Sequence, residues 1–334
     1  MTGRFACVAG TGSALGSRVV SNNELARDLD TSDEWIRSRT GIVERRFAEP
    51  DETASSLAAS AASRALDAAG MDPAVIDLTI VATISGDQPL PSTASFVQQR
   101  LGISGGAFDL AAACAGFIYG VDVGAAQISS GSADTVLVVG TEVLSRFLDF
   151  SDRTTCVLFG DGAGAVVLTA GHEPGVIGSV LENDGTHAGL LRIPAGGSRE
   201  PASAETVGRL EHTIRMTSGS EVFRRAVEAM SDSAASLLEK SGMAADDVTL
   251  LVPHQANARI IHAVAQRLSF PEDRVFVDLE HVGNTSAASV PVAIDRAWRA
   301  GRLSPGDTVL TVAFGAGLAW GANLIRWSAP REPK

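Results

Sequence analysis

The sequence predicts an α/β protein written as two copies of one unit, and three observations predict it. The first is internal similarity. GMDPAVIDLTIV at 70–81 resembles GMAADDVTLLV at 242–252, FDL at 108–110 echoes VDL at 277–279, and DTVLVV at 134–139 echoes DTVLTV at 307–312. Gly70 to Gly242, Asp109 to Asp278 and Asp134 to Asp307 are 172, 169 and 173 residues apart and in one order, as a duplication requires. The second is that the strand candidates are unbroken Val/Ile/Leu runs, the pattern of a sheet covered by helices on both faces. The third is 34 glycines scattered through alanine-rich apolar segments, which suits close helix–sheet packing.

Each copy reads as helix, buried strand, helix, short strand, helix, buried strand. Helical periodicity predicts helices at 54–69, 92–101 and 115–130 in the first copy, and at 217–241, 257–268 and 285–300 in the second. The copies meet near AGHEPG at 170–175, which divides the chain into residues 1–172 and 173–334. The segment 186–212, rich in Gly, Pro, Ser and charge, reads as an exposed loop or excursion. AGTGSALG at 9–16 has the look of a dinucleotide-binding loop, but no βαβ unit follows it and no acidic ribose partner stands where that fingerprint needs one. Its glycines are expected to make a turn.

Bulk properties narrow the function. A net charge of −12 on 334 residues argues against a broad basic face for nucleic acid. Uncharged stretches such as 110–121 are too short to span a bilayer, and the first residues lack the features of a signal peptide. The expectation is a cytoplasmic protein with neither membrane nor nucleic-acid partners. Three cysteines at wide spacing, Cys7, Cys114 and Cys156, fit a reducing compartment and no metal pattern.

Among them Cys114 stands apart. It lies in LAAACAGF, between a short strand and a helix, where unpaired helical N–H groups favour a thiolate and can hold an oxyanion. Free cysteine is more often a small buried hydrophobe, which suits Cys7 and Cys156 in their apolar strands. Counted from the matching aspartates, the counterpart of Cys114 in the second copy is Asn284, in HVGNTSAAS, so a pseudo-twofold axis would face those two loops. Asn at a helix start is also an ordinary cap. His254 ends the strand TLLVPHQAN, over the sheet edge where α/β proteins open ligand crevices. Read together, the three supply a nucleophile, an imidazole and an amide donor, a set suited to acyl transfer.

The motifs DTSDEWIRSRTGI (30–42), FGDGAGA (159–165), VPHQANARI (252–260), GNTSAASVP (283–291) and AFGAGLAWG (313–321) carry a resemblance along nearly the whole chain. It resembles the β-ketoacyl-acyl carrier protein synthase III family, condensing enzymes of the thiolase superfamily. The resemblance implies a thiolase-like, five-layered αβαβα fold, a homodimer, and a catalytic triad of Cys114, His254 and Asn284. Cys114 would take an acyl group from acyl-CoA. His254 and Asn284 would stabilise the enolate formed when malonyl-acyl carrier protein loses CO2, and that carbanion would attack the thioester. The backbone N–H groups of Cys114 and Ala316 would hold the acylation oxyanion, and Phe314 would border the departing carboxylate.

The resemblance further implies adenine held between Trp35 and Arg153, phosphates and pantetheine near Arg39 and Arg259, and a pantetheine channel past Gly219 and Asn257. Arg224, Arg225, Arg259 and Arg267 would dock the acidic carrier protein. Coenzyme A enters as a substrate thioester; no resident cofactor or metal is implied. Three positions depart from some members: Ala316 for glycine, Ser220 for asparagine, and Leu90, in SGDQPLP, for an aromatic that closes the acyl pocket across the dimer. A smaller Leu90 implies room for a starter beyond acetyl. A thiolase would need a second, late cysteine, and a 3-hydroxy-3-methylglutaryl-CoA synthase a glutamate in the Cys114 loop or beside His254. Neither is present. A priming ketosynthase of an aromatic polyketide pathway, and an acyltransferase that does not condense, share the catalytic residues.

Overall fold

The computed structural model describes residues 3–330. The first copy begins with β1 (Phe5–Leu15), then an excursion of β2 (Arg18–Ser21), α1 (Asn22–Leu25), α2 (Asp33–Thr40) and β3 (Glu44–Phe47). It continues through α3 (Ala54–Ala69), β4 (Leu78–Ala82), α4 (Thr93–Leu101), β5 (Gly106–Leu110), α5 (Gly116–Ser130), β6 (Thr135–Glu142) and β7 (Gly162–Gly171). The second copy begins with β8 (Val176–Asn183), then an excursion of β9 (Leu191–Arg192), α6 (Ala204–Gly208) and β10 (Arg215–Met216). It continues through α7 (Gly219–Lys240), β11 (Leu250–Pro253), α8 (Ala258–Arg267), α9 (Ser289–Arg299), β12 (Thr308–Gly315) and β13 (Ala319–Arg326).

The two sheets repeat one topology. The first has strand order β1-β7-β6-β4-β5 and the second, in matching direction, β8-β13-β12-β11. In each, the central strand of the duplicated DTVL motif pairs parallel on one side and antiparallel on the other. Both copies of that strand, β6 and β12, are buried along their whole length, which explains their unbroken apolar sequences. The copies differ at one edge. Residues 277–279, the echo of β5, form no strand, and only an isolated bridge of Val275 to Leu251 marks the place.

The layers run α3 and α4, first sheet, α5 and α9, second sheet, α7 and α8. The core follows them: one cluster lies under α3, a second joins α5 and α9 to both sheets, and a third lies under α7 and α8. The chain thus has the thiolase-like αβαβα fold. The capping residues explain the helix bounds. Thr53 caps α3 in a reciprocal box with Ser56, and Gly70 ends it at φ 63°, as left-handed C-caps require.

Two sequence expectations change here. AGTGSALG is not a turn but most of β1, because Gly10 and Gly12 sit where α3 approaches closest. A Cβ on them would lie 2.3 Å from the Ala65 carbonyl oxygen and 2.4 Å from that of Ala61. The segment 186–212 is not simply an exposed loop. It carries β9 and α6, buries Ala195, and together with Ile214 just beyond it closes over the site described next.

Candidate active site

Both copies of the motif that follows a sheet strand build the same local shape. A residue at positive φ, Ala113 at 45° or Ser286 at 50°, starts a single 3-10 turn that runs into α5 or α9. The two turns pack on each other, so the loops do face across the pseudo-twofold axis. The register differs from the count along the chain. Ala113 matches Ser286 and Cys114 matches Ala287, whereas Asn284 precedes the turn.

Cys114 is 7% exposed and stands where two cavities meet. It is brought there by backbone contact. A Cβ on Gly315, at the end of β12, would lie 2.6 Å from the Cys114 nitrogen, so only glycine lets the strand end touch the turn. α5 has no side chain capping its N-terminus, and the 3-10 turn that carries Cys114 leads straight into it. Burial nonetheless outweighs the helix field. It pushes the Cys114 thiol up to about 12, a hydrogen bond with Ser286 lowers it, and the charge of Glu142 raises it. The resting form is therefore the thiol, contrary to the expectation that the helix start alone favours a thiolate.

His254 is buried, and burial holds it down to about 3, so the imidazole is neutral. Its Nδ1 lies 2.5 Å from Ser289 Oγ, which accepts at 3.4 Å from the backbone N–H of Gln255. The Ser289 proton has no other acceptor among the described residues, so it goes to Nδ1 and leaves the imidazole proton on Nε2. Asn284 is oriented in the same manner: its Oδ1 accepts from the Ser286 N–H at 2.8 Å, leaving Nδ2 as a donor. Cys114, His254, Asn284 and Phe314 line one narrow cavity of about 140 Å³, with Gly219 and Asn257 along its wall. Phe314 stacks on Trp320 at 6.2 Å between centroids. Ala316 lies instead in the second cavity, of about 560 Å³, which Leu191, Ile193 and Ile214 also line.

The remaining predicted residues fall into three groups. Trp35, Arg39 and Arg153 cluster, with the guanidinium groups of Arg39 and Arg153 at 5.8 and 5.2 Å from the Trp35 ring. A ring sandwiched between Trp35 and Arg153 needs about 7 Å, two van der Waals contacts, so adenine enters there only when Arg153 swings off the indole. Asn257 caps α8, accepting from the Arg259 N–H at 2.9 Å and donating to the Arg39 carbonyl at 3.0 Å. The docking arginines lie on α7 and α8, but three are neutralised by their own chain. Arg224 pairs with Glu221 and Glu228, Arg225 with Glu221, and Arg267 with Asp232. Arg259 lies over the Phe223 ring at 5.5 Å and is exposed. Leu90 lines neither cavity of its own chain; it is 83% exposed.

Ser286, Ser289 and Glu142 were not singled out in the sequence. GNTSAASVP contains both serines, but only the fold shows which partner each one faces. The comparisons with known proteins identify the family. Models of 3-oxoacyl-[acyl-carrier-protein] synthase III match residues 108–185, and of its C-terminal part residues 238–327. The β-ketoacyl-[acyl-carrier-protein] synthase III of Methylococcus capsulatus is 50% identical over 325 residues, covering 97% of this chain and 99% of its own. The chain belongs to the β-ketoacyl-acyl carrier protein synthase III family.

Solved structures of the family superpose over nearly its full length. The 3-oxoacyl-(acyl carrier protein) synthase III of Pseudomonas aeruginosa PAO1 has a TM-score of 0.90 at 44% identity, covering 97% of this chain and 99% of its own. The priming β-ketosynthase of the R1128 polyketide biosynthetic pathway reaches 0.92 at 40% identity, covering 98% of both chains.

Proposed function

We propose that this family member condenses an acyl-CoA starter with malonyl-acyl carrier protein, through an acyl thioester on Cys114, to give a 3-oxoacyl-acyl carrier protein. The observation that carries the reading is the position of Cys114 at the junction of two unlike cavities. The narrow one is lined by His254 and Asn284 beside Cys114 and by Gly219 and Asn257. The wide one is almost wholly apolar and receives the acyl chain. Acylation develops negative charge on the thioester oxygen, which the N–H groups of Cys114 and Ala316 receive. Decarboxylation then develops charge on the malonyl thioester oxygen, against His254 Nε2–H and Asn284 Nδ2. Fixed neutral donors in a dry site stabilise such charge strongly. Phe314 keeps the carboxylate side apolar, which favours its loss as CO2.

The wide cavity, of about 560 Å³ before any partner subunit closes it, leaves room beyond an acetyl group, which supports a longer or branched acyl starter. The reaction proceeds without a resident cofactor in a cytoplasmic enzyme. The assembly is a homodimer joined at β5, the edge strand left unpaired in the first sheet. Carrier docking falls to Arg259 and its surroundings rather than to the paired arginines.

The test is acylation followed by condensation. Incubation with a series of acyl-CoAs is expected to add one acyl mass per chain, lost in Cys114→Ala, with medium or branched chains faster than acetyl. Malonyl-acyl carrier protein then releases CO2 and 3-oxoacyl product. Acylation without condensation would favour the acyltransferase reading, and a polyketide starter preferred over all fatty acyl-CoAs would favour the priming ketosynthase.

A further inference from the structure

Behind Cys114, outside both cavities, lies a carboxyl group that the mechanism above does not use. Glu142 ends β6, is fully buried, and has no cationic partner among the described residues. Four groups hold it: the Ile84 N–H at 3.2 Å, the Thr83 hydroxyl at 3.3 Å, the Ser85 hydroxyl, and the Ser286 hydroxyl at 3.2 Å. The Ser286 Oγ in turn lies 3.3 Å from Cys114 Sγ. Buried carboxylates are ordinarily paired with a cation. This one is tied to the nucleophile instead.

The donor directions in this chain are forced. An ionised carboxylate only accepts, so the single Ser286 proton points at Glu142. Its lone pairs then face the sulfur, which must carry its own proton. The resting chain reads S–H to O–H to carboxylate. Moving each proton one step gives thiolate, O–H pointing back at sulfur, and carboxylic acid. Heavy atoms stay in place, both hydrogen bonds survive, and the site holds one negative charge before and after. No net charge is buried, and the charge moves toward the start of α5, which favours it.

On the reading that Cys114 is acylated by acyl-CoA, we propose that Glu142 accepts the Cys114 proton through the Ser286 hydroxyl and returns it when condensation expels the sulfur. In acylation the Sγ–C bond forms and the C–S bond to coenzyme A breaks. The coenzyme A thiolate takes a proton from solvent at the tunnel mouth, and Glu142 keeps the one from Cys114. In condensation the C–C bond forms, the C–Sγ bond breaks, and the relay runs back to restore thiol and carboxylate. One solvent proton is consumed per turnover, as the overall reaction requires.

His254 is the other base in the site, but burial holds it near 3 and its Nδ1 is engaged by Ser289. Burial raises Glu142 to about 7, against the lowering effect of its hydrogen bonds. The elements packed on it, the end of β4, β7 and the Ser286 turn, present Thr83, Ile84, Ser85, Gly162 and Ser286, none of them charged. Cys114 is the titratable group that its charge reaches.

The experiment is single-turnover acylation by butyryl-CoA from pH 5.5 to 9, read as intact mass. In the wild type the rate is expected to fall about tenfold per pH unit below about pH 7, because a protonated carboxyl accepts nothing. Glu142→Gln should be about 100-fold slower at pH 8 and lose this limb, and Glu142→Asp should retain it. Ser286→Ala should be as slow as Glu142→Gln, and the double variant no slower than either, since the two act as one unit. A merely structural role would slow all pH values alike and leave the limb in place. Wild-type acylation that is flat from pH 6 to 8 overturns the relay even if every variant fails to fold, as does a limb surviving in Glu142→Gln or multiplying losses in the double variant. Wild-type protein that gains no acyl mass from any acyl-CoA overturns the functional reading instead.

Discussion

At Cys114 the side chains divide the chemistry by their protonation. A buried thiol needs somewhere to send its proton, while a buried neutral imidazole with its proton on Nε2 needs only to donate. The same burial thus suits one residue to nucleophilic attack coupled to a base, and the other to holding an enolate. On the proposed mechanism, His254 and Asn284 act after acylation, not before it. His254→Ala and Asn284→Ala are expected to keep Cys114 acylation within about tenfold of wild type. Their CO2 release from malonyl-acyl carrier protein should drop by about 100-fold or more, the usual cost of losing one fixed oxyanion donor. Parallel assays of acyl mass and labelled CO2 measure the two steps. Equal losses in both would show that His254 serves the thiol as well.

Elements set those positions by close backbone contact. The end of β12 presses on the Cys114 turn through Gly315, as β1 presses on α3 through Gly10 and Gly12. None of these glycines has a positive φ; they are small because another backbone is near. Gly315→Ala would place a methyl 2.6 Å from the Cys114 nitrogen, so the turn must shift. The expected outcome is a correctly folded protein whose acylation rate falls by about 100-fold, because a displacement near 1 Å removes reacting geometry. Circular dichroism and the intact-mass assay measure fold and rate separately; a wild-type rate would show that the turn adapts. The excursion between β8 and α7 has a comparable part in the wide cavity, which Leu191, Ile193 and Ile214 help to line. Its polar composition suggested only a loop or excursion, because three apolar residues spaced along an irregular segment carry no periodic signal.

For the whole molecule, the missing fifth strand of the second sheet is the main break in the duplication. The first sheet keeps β5 and ends there, with Phe108 and nearby Leu90 and Ile84 exposed. Unpaired apolar edges invite pairing with another chain, and two such edges related by a twofold axis would close on each other. Phe108→Glu is expected to convert a dimer to a monomer, checked by light scattering at micromolar concentration. It should also lower acylation if Leu90 of the partner subunit borders the acyl cavity. A wild-type protein that is monomeric at that concentration would remove both expectations.

While its family resemblance implied the layer order, the sequence by itself determined the duplication and most helix bounds and singled out Cys114, His254 and Asn284. Each leaves a local or periodic mark: an offset near 172, unbroken apolar strands, capping residues, a strand-end His254. Only the tertiary structure decided the pairing of those marks. That Glu142 reaches Cys114 through Ser286 depends on side chains 144 and 172 residues apart meeting across a pseudo-twofold interface, and that Ser289 sets the His254 tautomer depends on a contact across 35 residues of the second copy. Charge divides in the same way. Arg224 and Arg225 meet Glu221 within one helix, a spacing already present in the sequence, but Arg267 pairs with Asp232 only once α8 has packed on α7.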